Sequence, residues 1–489
     1  MAGRLIAPYV GMSLYTWTAI IAVVLAGLSA GHWIGGLLAA PAVDAARGAR
    51  RVAAALALAA VSSLASLVLL RLVSGLLLAG GLSPILTIVG LSAALFLLPS
   101  LFVGIVPPIL TKLAVDAEPH VHGRVIGRMY ALGTLGSIAG TLAAGYLLIS
   151  WIGSSGTVIA VAALYAAMSL AFVVADRLRP VFLVLLAGAG AGLGWWGAAL
   201  RAFESPCRVE SDYYCIRTAD FSAESGREST LLVLDHLVHS INDRDDPGLL
   251  YSPYIHFVDE VTKLRLGPGR APRAFFIGGG GYTLPRAWAA DYAHAELVVA
   301  EIDPAVTAVA RDALWLPAAV PGLTIHHGDA RAALQSLPRR PRFDVIFGDA
   351  FRDISIPAHL VTREFHQEVA ARLAPGGFYA VNVVDGGGGR PRFLFALIRT
   401  LKKDFASVEA WIERGEAGRP GRVTYVVLAS AHPTPVARLS SMRGTERTWV
   451  RWPPPDLAAR IDRARVPLLT DDFAPVDRLM SHVVLQAER

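Results

Sequence analysis

Three carboxylates stand at the ends of short apolar runs: Glu301 after Leu297-Val298-Val299-Ala300, Asp329 after Leu323-Thr324-Ile325, and Asp349 after Phe343–Gly348. Just upstream, Phe275-Phe276-Ile277 runs into the glycine loop Gly278-Gly279-Gly280-Gly281. A buried strand, a glycine turn, a helix and a second strand tipped by an acid form an arrangement that grips a nucleoside. The glycines let the backbone approach the ligand, and the acid accepts hydrogen bonds from ribose hydroxyls. A run of four glycines also makes an ordinary flexible turn, and an acid at a strand end also caps the next helix. Helix capping accounts for one or two of these acids. Three of them converging on a glycine loop favour a site.

Positioning those groups requires an open α/β sheet, whose ligands bind at the carboxyl ends of its strands. A fifth strand is expected after the turn Ala374-Pro375-Gly376-Gly377, over 378–384. A helix over 393–401 and late strands near 408–412 and 422–428 complete a methyltransferase-like sheet. The stretch 433–455 reads as irregular. Upstream, 213–217, 230–234 and 238–241 read as short strands of a small β domain.

Composition sets a different bound. The chain has 489 residues, 54% hydrophobic and 17% charged, with mean hydropathy +0.48. That is too apolar for a water-soluble enzyme, and the excess lies before residue 200. The segments 15–38, 52–70, 85–106, 129–151, 156–174 and 181–200 are long enough to span a bilayer, which needs about 20 apolar residues each. Six crossings are expected; a break near Arg71 and Gly80-Gly81 would make seven. The first span lacks the compact basic start of a cleavable signal peptide. Gly27, Gly31 and Gly35, and again Gly136 and Gly140, have the spacing that lets helices pack closely in lipid. His32 lies within a span and reads either as a functional group or as a neutral histidine bonded to a neighbouring helix. The polar link 111–128 reads as a solvated connection, or a dock for the C-terminal half, rather than a metal site. The net charge of +6 is modest, and no basic cluster with interleaved aromatics points to nucleic acid.

The expected fold class is therefore a multi-span α-helical membrane domain plus α/β. The domains are 1–200 (membrane helices), 204–264 (small β domain) and 265–489 (methyltransferase-like Rossmann domain).

Residues 204–477 resemble the spermidine synthase (polyamine aminopropyltransferase) family, and more narrowly its membrane-fused branch. The resemblance rests on Gly278-Gly279-Gly280-Gly281-Tyr282-Thr283-Leu284-Pro285-Arg286, Glu301-Ile302-Asp303-Pro304, Asp349-Ala350-Phe351 with 356–364, and Thr470-Asp471-Asp472. It implies a nucleoside site on Gly278, Gly279, Gly280, Glu301 and Asp329, with Glu301 on the ribose and Asp329 on the adenine amino group. It implies Asp349 as the acid that deprotonates the attacking amine, with Asp245, Asp246 and Tyr251 framing a cationic amine. The implied cosubstrate is decarboxylated S-adenosylmethionine, or S-adenosylmethionine itself, with no metal. Implied partners are an amine or other small molecule and the lipid bilayer, with a homodimer allowed. The expected location is the cell (inner) membrane, multi-pass.

The chain departs from the family at two places. Soluble spermidine synthases carry an aspartate inside the glycine loop for the donor's amine; here the loop has Gly281-Tyr282. The acid that follows the catalytic one is displaced to Asp353, behind Arg352. Sidedness is also open. The basic residues after spans one, three and five put one side in the cytoplasm under a six-span count and send the C-terminal half outside. Cys207 and Cys215 read either as a disulfide of an oxidising compartment or as two free buried thiols. Three functions follow: a membrane-anchored aminopropyltransferase, an alkyl- or methyltransferase on a membrane substrate, and a non-catalytic adenosyl-binding sensor or transporter partner.

Overall fold

The computed structural model describes residues 1–40, 44–118, 120–175, 180–352, 354–388, 390–441, 443 and 446–484, without the side chains of 175–186 and 484. The chain divides into two compact units, Met1–Cys215 and Ile216–Arg489.

The first unit is helical. Four helices among the described residues are long and apolar enough to cross a membrane: Leu14–Ala39, Ala45–Ala79, Pro84–Ala117 and His122–Val174. The last is continuous only in outline, because Gly153 breaks it at φ 70 between the two spans read from sequence. A further helix, Pro180–Ala199, covers the sixth apolar segment. Arg71 lies inside Ala45–Ala79, and the chain turns at Gly80 and Gly81. Residues 111–117 continue a helix instead of forming a loop, with Lys112 paired to Asp116 one turn on.

Gly27, Gly31 and Gly35 show why small residues matter here. A Cβ on any of them would overlap backbone of Pro84–Ala117, at Leu97, Leu101 and Ile105. Gly136 and Gly140 differ: no atom lies within 4 Å of where a Cβ would stand, because Val125 is the one buried residue of helix His122–Ala143. His32 is on an exposed helix face. Strand β1 (Val209–Glu210) follows the helices, and Cys207 and Cys215 form a disulfide.

The second unit opens with an antiparallel meander of β2 (Cys215–Asp220), β3 (Ser229–Leu234) and β4 (Leu237–Asp243), then helix Pro253–Leu266. Nine strands follow in one sheet: β5 (Arg273–Ile277), β6 (Glu296–Glu301), β7 (Leu323–His327), β8 (Phe343–Gly348), β9 (Leu373–Gly386), β10 (Ser407–Glu413), β11 (Arg422–Ser430), β12 (Arg438–Ser441) and β13 (Arg447–Arg451), in the order β12-β13-β10-β11-β9-β8-β5-β6-β7. β9, β8, β5, β6 and β7 are parallel; β11 and its outer neighbours are antiparallel. The central strands are covered on both faces, so they read as unbroken apolar runs rather than alternating ones. Phe275, Ile277, Ile346 and Val381 are among the buried core residues. This is the expected α/β architecture. β12 and β13 lie in the stretch read as irregular: four- and five-residue strands rich in Arg, Ser and Thr leave no apolar run to recognise.

Candidate active site

The glycine loop leaves β5 with Gly278 at φ 97 and Gly280 at φ 50, conformations that cost glycine little. A Cβ on Gly278 would stand 2.7 Å from the carbonyl oxygen of Asp349, so the loop touches the backbone that carries this acid. The Asp349 amide in turn donates to Ile277 O at 2.9 Å, since β5 and β8 are neighbours in the sheet. A Cβ on Gly280 would meet nothing within 4 Å, leaving open room above the loop.

That room is a cavity of about 380 Å³. Its floor is Gly278, Gly279, Gly280 and Gly281. The ends of β8 and β9 add Asp349 and Val384, the meander adds His239 and Ser240, and helix Pro253–Leu266 adds Tyr254. Phe276, Leu284, Phe347, Phe351 and Ile354 make much of the rest apolar.

Asp349 is held at both oxygens. Tyr254 Oη donates to Oδ2 at 3.0 Å, and Asn382 Nδ2 donates to Oδ1 at 2.8 Å. Burial pushes its carboxyl up to about 6, against the pull of those two hydrogen bonds. Removal from water disfavours the charged form, and donors to the carboxylate favour it. The Tyr254 hydroxyl is raised well above its ordinary value by the same burial and by the adjacent carboxylate, so it remains a donor. A carboxyl poised near neutrality in an apolar cavity can accept a proton from a substrate nitrogen. His239, neutral because burial lowers it to about 4, adds no charge to the wall.

Glu301 and Asp329 stand outside the cavity lining. Glu301 is 5% exposed, and its Oε2 accepts from Gly279 N at 2.7 Å and Gly280 N at 3.3 Å. It fixes the loop from behind, while Oε1 accepts from Asp303 N at 2.9 Å. Burial raises its carboxyl, and the three amide donors oppose that rise. Asp329 caps helix Ala330–Ser336 through Ala332 N at 3.0 Å, and its Oδ2 meets His359 Nε2 at 2.6 Å.

Asp245, Asp246 and Tyr251 lie elsewhere, around the turn after β4. Asp245 and Asp246 are exposed, and their amides donate to the buried carboxylate of Asp243. Tyr251 Oη reaches the same carboxylate at 3.3 Å. Asp353 lies outside the described residues. Tyr282, where the glycine loop ends, has φ 55, is fully buried and bonds Thr307 Oγ1 at 2.7 Å. Gly278 to Tyr282 therefore offer the cavity no acid. Among the described residues, no group of three or more His, Cys, Asp or Glu side chains could hold a metal ion.

Tyr254 and Asn382 belong to the site as well, and neither is among the residues expected from sequence. Asn382 carried a signal: it is an amide in the middle of the apolar run 378–384, and a buried amide needs a partner. Tyr254 carried none, because its contact spans 95 residues of chain.

No protein-family model matches the chain. It is 31% identical over 134 residues to a polyamine aminopropyltransferase of Vibrio vulnificus (strain CMCP6), covering 27% of this chain and 44% of that protein. It is 28% identical over 230 residues to a probable polyamine aminopropyl transferase of Bifidobacterium longum (strain NCC 2705), covering 44% and 50%. The chain thus spans about half the length of the curated relatives it matches. Among solved structures, a probable spermidine synthase from Corynebacterium glutamicum aligns at TM-score 0.46 and 20% identity, covering 53% of this chain and 95% of that one. In sequence, then, this chain is similar to polyamine aminopropyltransferases over part of its length.

Proposed function

We propose that the chain is a membrane-anchored aminopropyltransferase, moving the aminopropyl group of decarboxylated S-adenosylmethionine onto an amine. One observation carries the reading: Asp349, with its carboxyl near 6, sits in one cavity with the glycine loop. The aminopropyltransferase names of the two sequence relatives support it. An ammonium has no lone pair, so a base must take its proton before nitrogen attacks the carbon beside the sulfonium. Asp349 takes that proton on Oδ2 as the hydroxyl of Tyr254 turns to accept from it. The C–N bond forms as the C–S bond breaks, and the electron pair stays on sulfur to leave methylthioadenosine. Holding amine and donor in one cavity supplies proximity. Glu301 fixes the loop on which the donor rests, and Asp329, which caps the helix after β7, is assigned the adenine amino group in this reading. Residues 1–200 would anchor the enzyme as membrane helices, in the cell membrane, with 204–264 and 265–489 as its β and Rossmann domains.

A second reading keeps the pocket and changes the transfer: an S-adenosylmethionine-dependent alkyl- or methyltransferase on a membrane substrate. The observation in its favour is Tyr282, turned into the core where the family's loop would present an acid to the donor's amine. Product analysis separates the two. Aminopropyl transfer releases methylthioadenosine; methyl transfer releases S-adenosylhomocysteine.

A further inference from the structure

β4 reaches the cavity with an irregularity in it. Leu232 pairs with Ser240 but Val233 pairs with Val238, so His239 is one residue more than the partner strand can match. Such a bulge re-aims side chains that strict alternation would send to opposite faces. His239 and Ser240 both line the cavity. The same strand is fastened to the last residue of the glycine loop: Asn242 Nδ2 donates to Gly281 O at 2.7 Å, and Thr283 Oγ1 donates to Asn242 Oδ1 at 2.6 Å. A Cβ on Gly281 would overlap Ser240 Oγ, as one on Gly278 would crowd Asp349 O. The loop therefore runs from Asp349 at its first glycine to β4 at its last.

The two β4 side chains are uncommitted. Ser240 is 7% exposed, yet its Oγ has no hydrogen-bond partner among the described residues, and the His239 imidazole has none either. A buried hydroxyl left unpaired costs free energy unless a ligand completes it. Burial and the neighbouring His236 keep His239 neutral, so one ring nitrogen retains a lone pair, and the hydroxyl oxygen of Ser240 can also accept. The rest of the cavity decides which charge they receive. Its charged lining residues are Asp349, Glu416 and Arg422, two acids against one arginine. A carboxylate would add a third buried anion there, whereas an ammonium meets a wall of opposite net charge.

Resting on the aminopropyltransferase reading, we propose that His239 and Ser240 hold the terminal ammonium of the donor's aminopropyl chain, at the end of the glycine loop away from Asp349. The chain then lies along the loop, with the carbon beside the sulfonium left at the Asp349 end for the attacking amine. Gly278 to Tyr282 carry no acid, so two neutral acceptors from β4 recognise this cation.

Calorimetry on the full chain in detergent, with decarboxylated S-adenosylmethionine and with methylthioadenosine, tests this, because the second ligand lacks the chain and its ammonium. His239→Ala should weaken the first about 10-fold or more, the scale of one hydrogen bond to a charged group, and the second by less than about 3-fold. Ser240→Ala, which removes one buried atom, should act in the same direction. His239→Gln, whose amide oxygen still accepts, should recover most of the loss. Retained methylthioadenosine binding reports that each variant is folded. Equal loss for both ligands, or no loss for either, in both alanine variants overturns the proposal. So does a wild type that binds S-adenosylmethionine, with its extra carboxylate, more tightly than the decarboxylated form. Aminopropyl transfer is read separately, as methylthioadenosine released by wild type with an amine; no release with any amine tried overturns the underlying reading.

Discussion

Tyr254 Oη lies 3.0 Å from Asp349 Oδ2, donated across the cavity by a helix that precedes the Rossmann strands. The carboxylate that would do the chemistry thus depends on a side chain outside its own sheet. Tyr254→Phe removes a donor that favours the ionised form, so the Asp349 carboxyl should rise further above 6. Activity that requires the ionised base is lost as pH falls through that value. The acid limb of the pH–rate profile should therefore move to higher pH in the variant, with the donor's KM little changed. An unmoved acid limb would leave Tyr254 a packing residue.

The same shift has a consequence for stability. Folding raises the Asp349 carboxyl from 3.8 to about 6, so the fold favours the protonated form. This contribution to stability is full below about pH 4 and is lost as pH rises through 6. Asp349→Asn, which keeps the shape and removes the charge, should melt at or above wild type at pH 7.5 and close to it at pH 4. A clear drop in melting temperature at pH 7.5 would mean that the ionised acid is structural.

Glu301 ties down the loop on which the donor is proposed to rest. Glu301→Ala removes the acceptor of Gly279 N and Gly280 N, and the loosened loop should weaken adenosyl-sulfonium binding by up to about 1.5–3 kcal/mol, the usual worth of hydrogen bonds to a charged group. Calorimetry on the folded variant checks this, and an unchanged affinity would mean that the loop keeps its shape without Glu301.

Cys207 and Cys215 should resist alkylation in the denatured, unreduced protein and label readily after reduction. Closing so short a loop is worth about 2–3 kcal/mol in the chain-entropy account, so reduction should lower the melting temperature of the first unit. Protease accessibility of the C-terminal half in intact cells would then report whether it shares an oxidising compartment. Full labelling without reductant contradicts the bond.

The parallel core was legible because strands buried on both faces have to be apolar, and because β5 runs into Gly278 while β6 ends at Glu301 and β8 at Gly348. What faces what was less legible. Glu301, Asp329 and Asp349 all terminate strands, yet only Asp349 lines the cavity; Glu301 turns toward the amides of Gly279 and Gly280, and Asp329 toward a helix start. Strand spacing places a residue at an edge, while local donors decide where its carboxylate points. Asp245 and Asp246 could not be placed from sequence, because the buried Asp243 beside them organises the turn. Glu416 and Arg422 come from a hairpin whose approach to the cavity depends on β11 pairing with β9.

In the proposed reaction Asp349 removes the proton from the attacking amine. Single-turnover formation of methylthioadenosine from decarboxylated S-adenosylmethionine, in wild type and Asp349→Asn at matched donor occupancy, tests it most directly. Product is expected in wild type, with a rate about 10²–10⁴-fold lower in the variant, the usual worth of a general base, and donor binding retained. Near-normal turnover by a folded, donor-binding Asp349→Asn protein would contradict it.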